Sequence, residues 1–203
     1  MKYPEDFINK VICGDCLEVM KQMPDKSVDL VLTDPPYGIG DRNSRPVGNR
    51  DEKYKNVSWD ILPSRQYIDE IIRVSKRQII WGANYLNCFT DGGAIVWDKL
   101  QPLPDSSQCE IASISGYKKV IKYVQRWTNF VNTKDTTHPT EKPVKLMEYC
   151  INLIKAQTIL DPFLGSGTTA VAAKQLGHQF IGIEISPEYC KIAEQRLAQE
   201  MLI

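Results

Sequence analysis

The residues best placed to do chemistry lie in "TILDPFLGSGTT", where an apolar run stops on Asp161 and Gly165 and Gly167 follow before a helix-forming stretch. Small residues between a strand and a helix let backbone approach a ligand, and the start of the helix offers unpaired amides. About 20 residues further on, where an acid can take both ribose hydroxyls of a nucleoside, the next apolar run ends in "GIE" at Glu184. No Lys-Ser/Thr pair follows the glycines, which excludes a Walker loop. Asp161 would repel a pyrophosphate, but it suits a ligand with a positive end such as an amino acid's ammonium. A ligand with ribose at one end and an amino acid at the other is S-adenosylmethionine. Asp161, Phe163, Gly165, Ser166, Gly167, Thr168, Glu184 and Ile185 are the expected lining. Taken singly, the glycines also fit a tight strand-helix turn, and Glu184 a solvated carboxylate at a strand end.

A second constellation stands in "LVLTDPPYGIG". A strand carrying Val28, Leu30, Val31 and Leu32 would ordinarily hand over to glycine or asparagine. Here it meets Asp34, Pro35, Pro36 and Tyr37, an acid and an aromatic ring held by two residues of fixed φ. Alone, that tetrad also fits a proline-stiffened turn.

The elements that must position these groups alternate. "NKVICGDC" reads as a strand ending at Asp15, followed by a helix over "LEVMKQM" and the strand "SVDLVLTD". Residues 38–59 are polar and glycine-rich without period, the composition of a functional lid or a disordered loop. Ser64 is placed to cap a helix over "RQYIDEIIRVSK", and "RQIIWG" and "GGAIVWDK" read as strands. "CEIASISGY" and "KKVIKYVQRW" read as β, and a helix begins at Pro143. The strand "QTIL", the helix "TAVAAKQLG", the strand "FIGIEI" and a helix capped by Ser186 with Pro187 at its first position complete the pattern. Strands alternating with helices imply one α/β domain over residues 1–203, with a mainly parallel sheet and helices on both faces.

Composition narrows the class. Hydrophobic content of 42% and charged content of 25% are those of a soluble globular protein. No apolar run approaches the roughly 20 residues of a membrane span, and "MKYPEDFINK" lacks the core of a secretory signal. The six cysteines fall mostly in apolar segments, as expected of reduced thiols in the cytoplasm. Cys13 and Cys16 have zinc spacing but no second pair, so they are read as strand-end core residues and no metal is expected. A net charge of zero leaves any nucleic-acid binding to local patches.

Together "TDPPYGIG", "VICGDC", "HPTEKPVKLMEYCI" and "ILDPFLGSGTTAVAAKQLGHQFIGIEISPEYC" resemble the DNA methyltransferases that methylate adenine N6 or cytosine N4. The order, with DPPY before the glycine loop, resembles the circularly permuted β group. The likeness covers most of residues 9–40 and 137–197, and the middle third matches loosely. It implies a Rossmann-like S-adenosylmethionine-dependent fold around a seven-stranded sheet. An exocyclic amine is a poor nucleophile because its lone pair is delocalised into the ring. The Asp34 carboxylate and the Pro35 carbonyl, held by Pro36, can each accept one amino hydrogen, and Tyr37 can stack on a base flipped from the duplex.

The resemblance also implies that Asp15, with the Cys16 backbone beside it, meets the cofactor's adenine, that Asp34 borders the cofactor, and that His138, Thr140 and Lys142 face its methionine carboxylate. Glu141 stands where the family often has glutamine and receives no contact. Aspartate at position 34 favours adenine over cytosine, whose enzymes more often carry serine there. RNA or glutamine side-chain methylation and a catalytically silent cofactor-binding subunit are the alternatives. DNA is the implied partner. A slight surplus of positive charge over 38–59 and 99–134 points to a short target-recognition region at about 99–137 and salt-dependent phosphate contacts, with a partner or a second copy able to complete it.

Overall fold

A computed structural model describes residues 1–38, 61–100, 107–126 and 141–199 of the chain. Its elements run β1 (Lys10–Cys13), α1 (Cys16–Met20), β2 (Val28–Thr33), α2 (Arg65–Val74), β3 (Ser75–Trp81), α3 (Ala83–Leu86), β4 (Ala94–Asp98), β5 (Cys109–Ile114), β6 (Val120–Val124), α4 (Val144–Ile154), β7 (Thr158–Asp161), α5 (Thr168–Gln175), β8 (Gln179–Glu184) and α6 (Pro187–Gln199).

The strands form one sheet in the order β1-β8-β7-β2-β3-β5-β4-β6. Among the described residues the expected seven strands are therefore eight. The two β segments of the middle third both join this sheet, β5 antiparallel to β3 and β4, and β6 parallel to β4 along the edge. That part of the expected 99–137 recognition region is thus framework, and 101–106 and 127–140 lie outside the described residues, as do 39–59 of the expected 38–59 loop.

Both faces of the sheet are covered, which explains the near-continuous apolar character of β2. Leu30 and Leu32 point with Ile79, Trp81 and Ile95 into a core closed by Leu146, Met147, Cys150 and Ile151 of α4 and the alanines of α5. Val28, Val31, Ile80 and Leu160 point the other way, into a core with Met20, Ile68, Ile71 and Val74. Each such fully buried aliphatic side chain contributes about 1.5–3 kcal/mol.

Several boundaries shift for identifiable reasons. β1 stops at Cys13, and Asp15 is the N-cap of α1, its Oδ1 accepting from the Leu17 amide at 2.8 Å. Helix α1 ends at Met20 rather than running through Met23; the Arg73 guanidinium takes the Met20 and Met23 carbonyls at 2.7 and 2.9 Å and closes the turn. Ser64 occupies the N-cap of α2, but its side chain makes no capping hydrogen bond. Cys13 is exposed and Cys16 buried, so only the second is a core residue.

The strand order reverses between β2 and β7. From that pair the sheet grows one way through β3 and the other through β8 and β1. A crevice at the C-terminal ends of such a pair is where open α/β sheets take ligands. Both constellations found in the sequence lie there, Asp34 just beyond β2 and Asp161 at the last position of β7.

Candidate active site

Asp161 ties the crevice together. Its Oδ1 accepts from the Thr33 hydroxyl at 2.7 Å and from the Phe163 amide at 3.1 Å, joining the end of β2 to the loop after β7. The side chain is buried and makes no ion pair among the described residues. Burial accordingly pushes its carboxyl up to about 6.

The loop after Asp161 is built by its glycines and by Glu184. Gly167 has φ of +94°, and a Cβ there would stand 2.9 Å from the Ala193 Cβ of α6. Only glycine permits both that conformation and that approach. Glu184, at the end of β8, accepts from the Gly165 amide through Oε2 and from the Ser186 amide through Oε1, each at 2.8 Å. Each oxygen keeps a further lone pair for a hydroxyl.

Arg196 of α6 donates to the Ser166 carbonyl and hydroxyl at 2.9 Å and pairs with Glu141 at 2.5 Å. The Thr168 hydroxyl donates to the same Glu141 carboxylate at 2.7 Å. Glu141, given no contact from the sequence, joins the loop to the segment that precedes α4.

The far side of the crevice is aromatic and acidic. The Tyr67 hydroxyl lies 3.3 and 3.4 Å from the two oxygens of Asp15, and its ring lies 6.0 Å from that of Phe163. Burial, with the charges of Asp15, Asp161 and Glu184 around it, pushes the Cys16 thiol up to about 12, which makes it inert. Ile185 is exposed, immediately after Glu184.

Asp34 is enclosed more than the sequence suggested. Tyr37 donates its hydroxyl to Asp34 Oδ1 at 2.5 Å, and Lys142 donates to Oδ2 at 2.5 Å. The Tyr37 ring stacks on Tyr85 with centroids 5.0 Å apart. Its edge lies over Gly82, where φ is +69° and a Cβ would come within 2.0 Å of the ring. Burial and the neighbouring Asp34 carboxylate raise the Tyr37 phenol well above its usual range, so it remains a hydrogen-bond donor. Lys142, expected at a ligand carboxylate, instead has its buried ammonium between Asp34 and Glu110, the latter at 2.8 Å, with the rings of Tyr37 and Trp81 beside it. The nearby carboxylates outweigh the burial that would neutralise it and hold it charged.

The structure thus brings Asp15, Cys16, Asp34–Tyr37, Asp161, the 163–168 loop and Glu184 to the C-terminal ends of β1, β2, β7 and β8. His138 and Thr140 lie outside the described residues. Sequence reasoning missed Tyr67, Gly82, Tyr85, Glu110 and Arg196. The positive φ of Gly82 and the charge of Glu110 left no local signal of their partners.

The model of a DNA methylase family comprising N6 and N4 enzymes matches residues 96–195. The putative methylase YubD of Escherichia coli (strain K12) is 31% identical over 216 residues, which cover 94% of this chain and 91% of that protein. The chain belongs to the N6/N4 DNA methylases. Among other relatives of this DNA methylase, the type II methyltransferase M.HinfI of Haemophilus influenzae is 27% identical over 251 residues, spanning 96% of the chain and 69% of the relative. A crystal structure of an M1.HpyAVI–SAM complex superposes with a TM-score of 0.59 at 25% identity, covering 93% of this chain and 98% of that one. The family and this likeness agree with the α/β fold, and no helix among the described residues of the methylase is long and apolar enough to cross a membrane.

Proposed function

We propose that the protein transfers a methyl group from S-adenosylmethionine to the exocyclic N6 amine of adenine in DNA. The observation that carries this reading is the Asp34 carboxylate, held by Tyr37 and Lys142 at the crevice, one strand from the buried Asp161, which has no ion pair among the described residues.

The donor set fits the cofactor. Asp161 has the burial, the raised carboxyl and the lack of an ion pair among the described residues that an ammonium would relieve. Glu184, fixed by two amides, has lone pairs for the ribose hydroxyls. Asp15, the Cys16 backbone, Tyr67 and Phe163 offer polar and aromatic contacts for the adenine, while Ser166, Gly167 and Thr168 form the close backbone approach. When bound, S-adenosylmethionine supplies a methyl on a sulfonium, electrophilic enough for a weak nitrogen nucleophile.

The tetrad prepares that nitrogen. Asp34 accepts one amino hydrogen through a lone pair that Tyr37 and Lys142 leave open, and the Pro35 carbonyl, fixed by the prolines, accepts the other. Both contacts draw the amine towards sp3 geometry, and the proton it loses passes to Asp34 or to water. The Tyr37–Tyr85 stack, whose Tyr85 is exposed, gives the flipped base an aromatic wall.

The test is methyl transfer from labelled S-adenosylmethionine to unmethylated duplex DNA, with the digested nucleosides identified by mass spectrometry. N6-methyladenine is expected. N4-methylcytosine would overturn the choice of base, and no methylated nucleoside would overturn the reading.

A further inference from the structure

The Asp34–Lys142 pair is one end of a longer chain of charge. Lys142 also pairs with Glu110 of β5 at 2.8 Å, and Glu110 pairs through its other oxygen with Lys99, just past β4. The charges alternate from Lys99 through Glu110 and Lys142 to Asp34, and the two lysine side chains are 9% and 4% exposed, so water screens them little. Glu110 reaches this place because β5 is the antiparallel strand between β3 and β4. It pairs in register with Trp97 and shares the parity of Ala112 and Ile114, which face α4. Lys142 immediately precedes Pro143, the N-cap of that helix.

We propose that Glu110 and Lys99 are positioning residues for the transfer step, setting through Lys142 how strongly the Asp34 carboxylate is held. The proposal rests on the methyl-transfer reading above. A lysine held by Asp34 alone would spend its full attraction on the oxygens that must receive the target amine. Glu110 draws part of that attraction away, and Lys99 limits how much it can draw. Burying two lysines against two half-buried carboxylates is a costly way to join β4, β5 and α4, since apolar side chains of the same volume hold such elements as well or better. The end of the chain on Asp34 gives the charges a purpose that packing does not.

Charge balance then predicts opposite effects from the two distal residues. Among the described residues, Glu110→Gln leaves Lys142 with Asp34 as its single anionic partner, which tightens that pair and lowers the pH at which turnover is lost. Lys99→Met leaves Glu110 free to pull Lys142 from Asp34, which loosens that pair and raises the pH at which turnover is lost. The groups facing Asp34 among the described residues are Tyr37 from its own turn, Lys142 from the approach to α4 and Asp161 from β7, with Glu110 of β5 behind Lys142. All but the replaced residue are common to the compared proteins, so their titration cancels.

The experiment is the kcat of methyl transfer to duplex DNA at saturating S-adenosylmethionine, measured across pH for the wild type, Glu110→Gln, Lys99→Met and Lys99→Arg. The acidic limb is expected to move down by about one pH unit in the first variant and up by about as much in the second. Lys99→Arg should restore the wild-type limb, and cofactor affinity should stay within about twofold throughout. Limbs that stay put or move together, or a loss confined to cofactor affinity, would overturn the proposal while leaving the methyl-transfer reading intact. If Glu110→Gln does not fold, the Lys99 pair decides it alone, because among the described residues Lys99 pairs with Glu110 and not with Asp34. No methylated base from the wild type would sink the reading, and the proposal with it.

Discussion

At the scale of single residues, Asp34 is an acceptor that is already partly occupied. Tyr37 and Lys142 orient its two oxygens, and each oxygen keeps one lone pair. Asp34→Ala removes a charge-assisted acceptor worth about 1.5–3 kcal/mol, so turnover should fall roughly tenfold to hundredfold or more, with S-adenosylmethionine binding partly retained. It also leaves the buried Lys142 ammonium one carboxylate short, so stability should fall by a few kcal/mol, on the order of 3. Turnover assays and urea melts on the same preparation check both; near wild-type turnover would remove Asp34 from the chemistry. Asp34, Asp161 and Glu184 were legible in the sequence because each is bracketed by prolines or glycines that mark a strand end. Glu110 was not, because its partners Lys99 and Lys142 are brought to it by strand pairing and by a helix far along the chain.

Among the elements, the turn between β3 and α3 and the loop between β7 and α5 do the positioning. The first turns on Gly82, which lies under the Tyr37 ring. Gly82→Ala combines a left-handed backbone, costing about 1 kcal/mol for a residue with a Cβ, with a side chain that the ring must vacate. Turnover should drop at least about tenfold while cofactor affinity changes less than about twofold. Unchanged turnover would mean that the ring's place over Gly82 is not the working one.

The second loop hangs on Arg196, which holds Ser166 and Glu141 together. Arg196→Met should weaken S-adenosylmethionine binding by about 1–2 kcal/mol, roughly tenfold, through loss of several hydrogen bonds to the loop. Glu141→Gln keeps an acceptor for Thr168 and should lose about threefold or less. Calorimetry on the two variants checks this order; equal affinities in both would show that the clamp is not what shapes the loop. The glycine loop itself was readable from its spacing, whereas the clamp joins residues from three separate elements whose pattern carries no period.

Across the whole molecule, one residue sits where the sheet reverses, and on the proposed reading cofactor and stability meet there. Asp161 bonds β2 to the loop after β7, and burial raises its carboxyl from an ordinary 3.8 to about 6. A raised carboxyl favours the folded state most below the unfolded value, and that contribution is lost as pH rises through about 6. At neutral pH the ligand-free protein therefore carries the cost of a buried anion, up to about 3 kcal/mol for roughly two pH units. An ammonium placed against it would remove that cost, so on the proposed reading the residue is a stability burden without the cofactor and an anchor with it. Asp161→Asn should therefore melt at or above the wild-type temperature at pH 8 without ligand, and bind S-adenosylmethionine at least about tenfold more weakly. Wild-type affinity should also decline as pH falls below about 6, a decline the variant should lack. Melting curves across pH with and without S-adenosylmethionine separate the two effects. A variant less stable than wild type at pH 8 that still gains full stabilisation from the cofactor would show that Asp161 is a structural tie alone, and the ammonium would then have to be received elsewhere in the crevice.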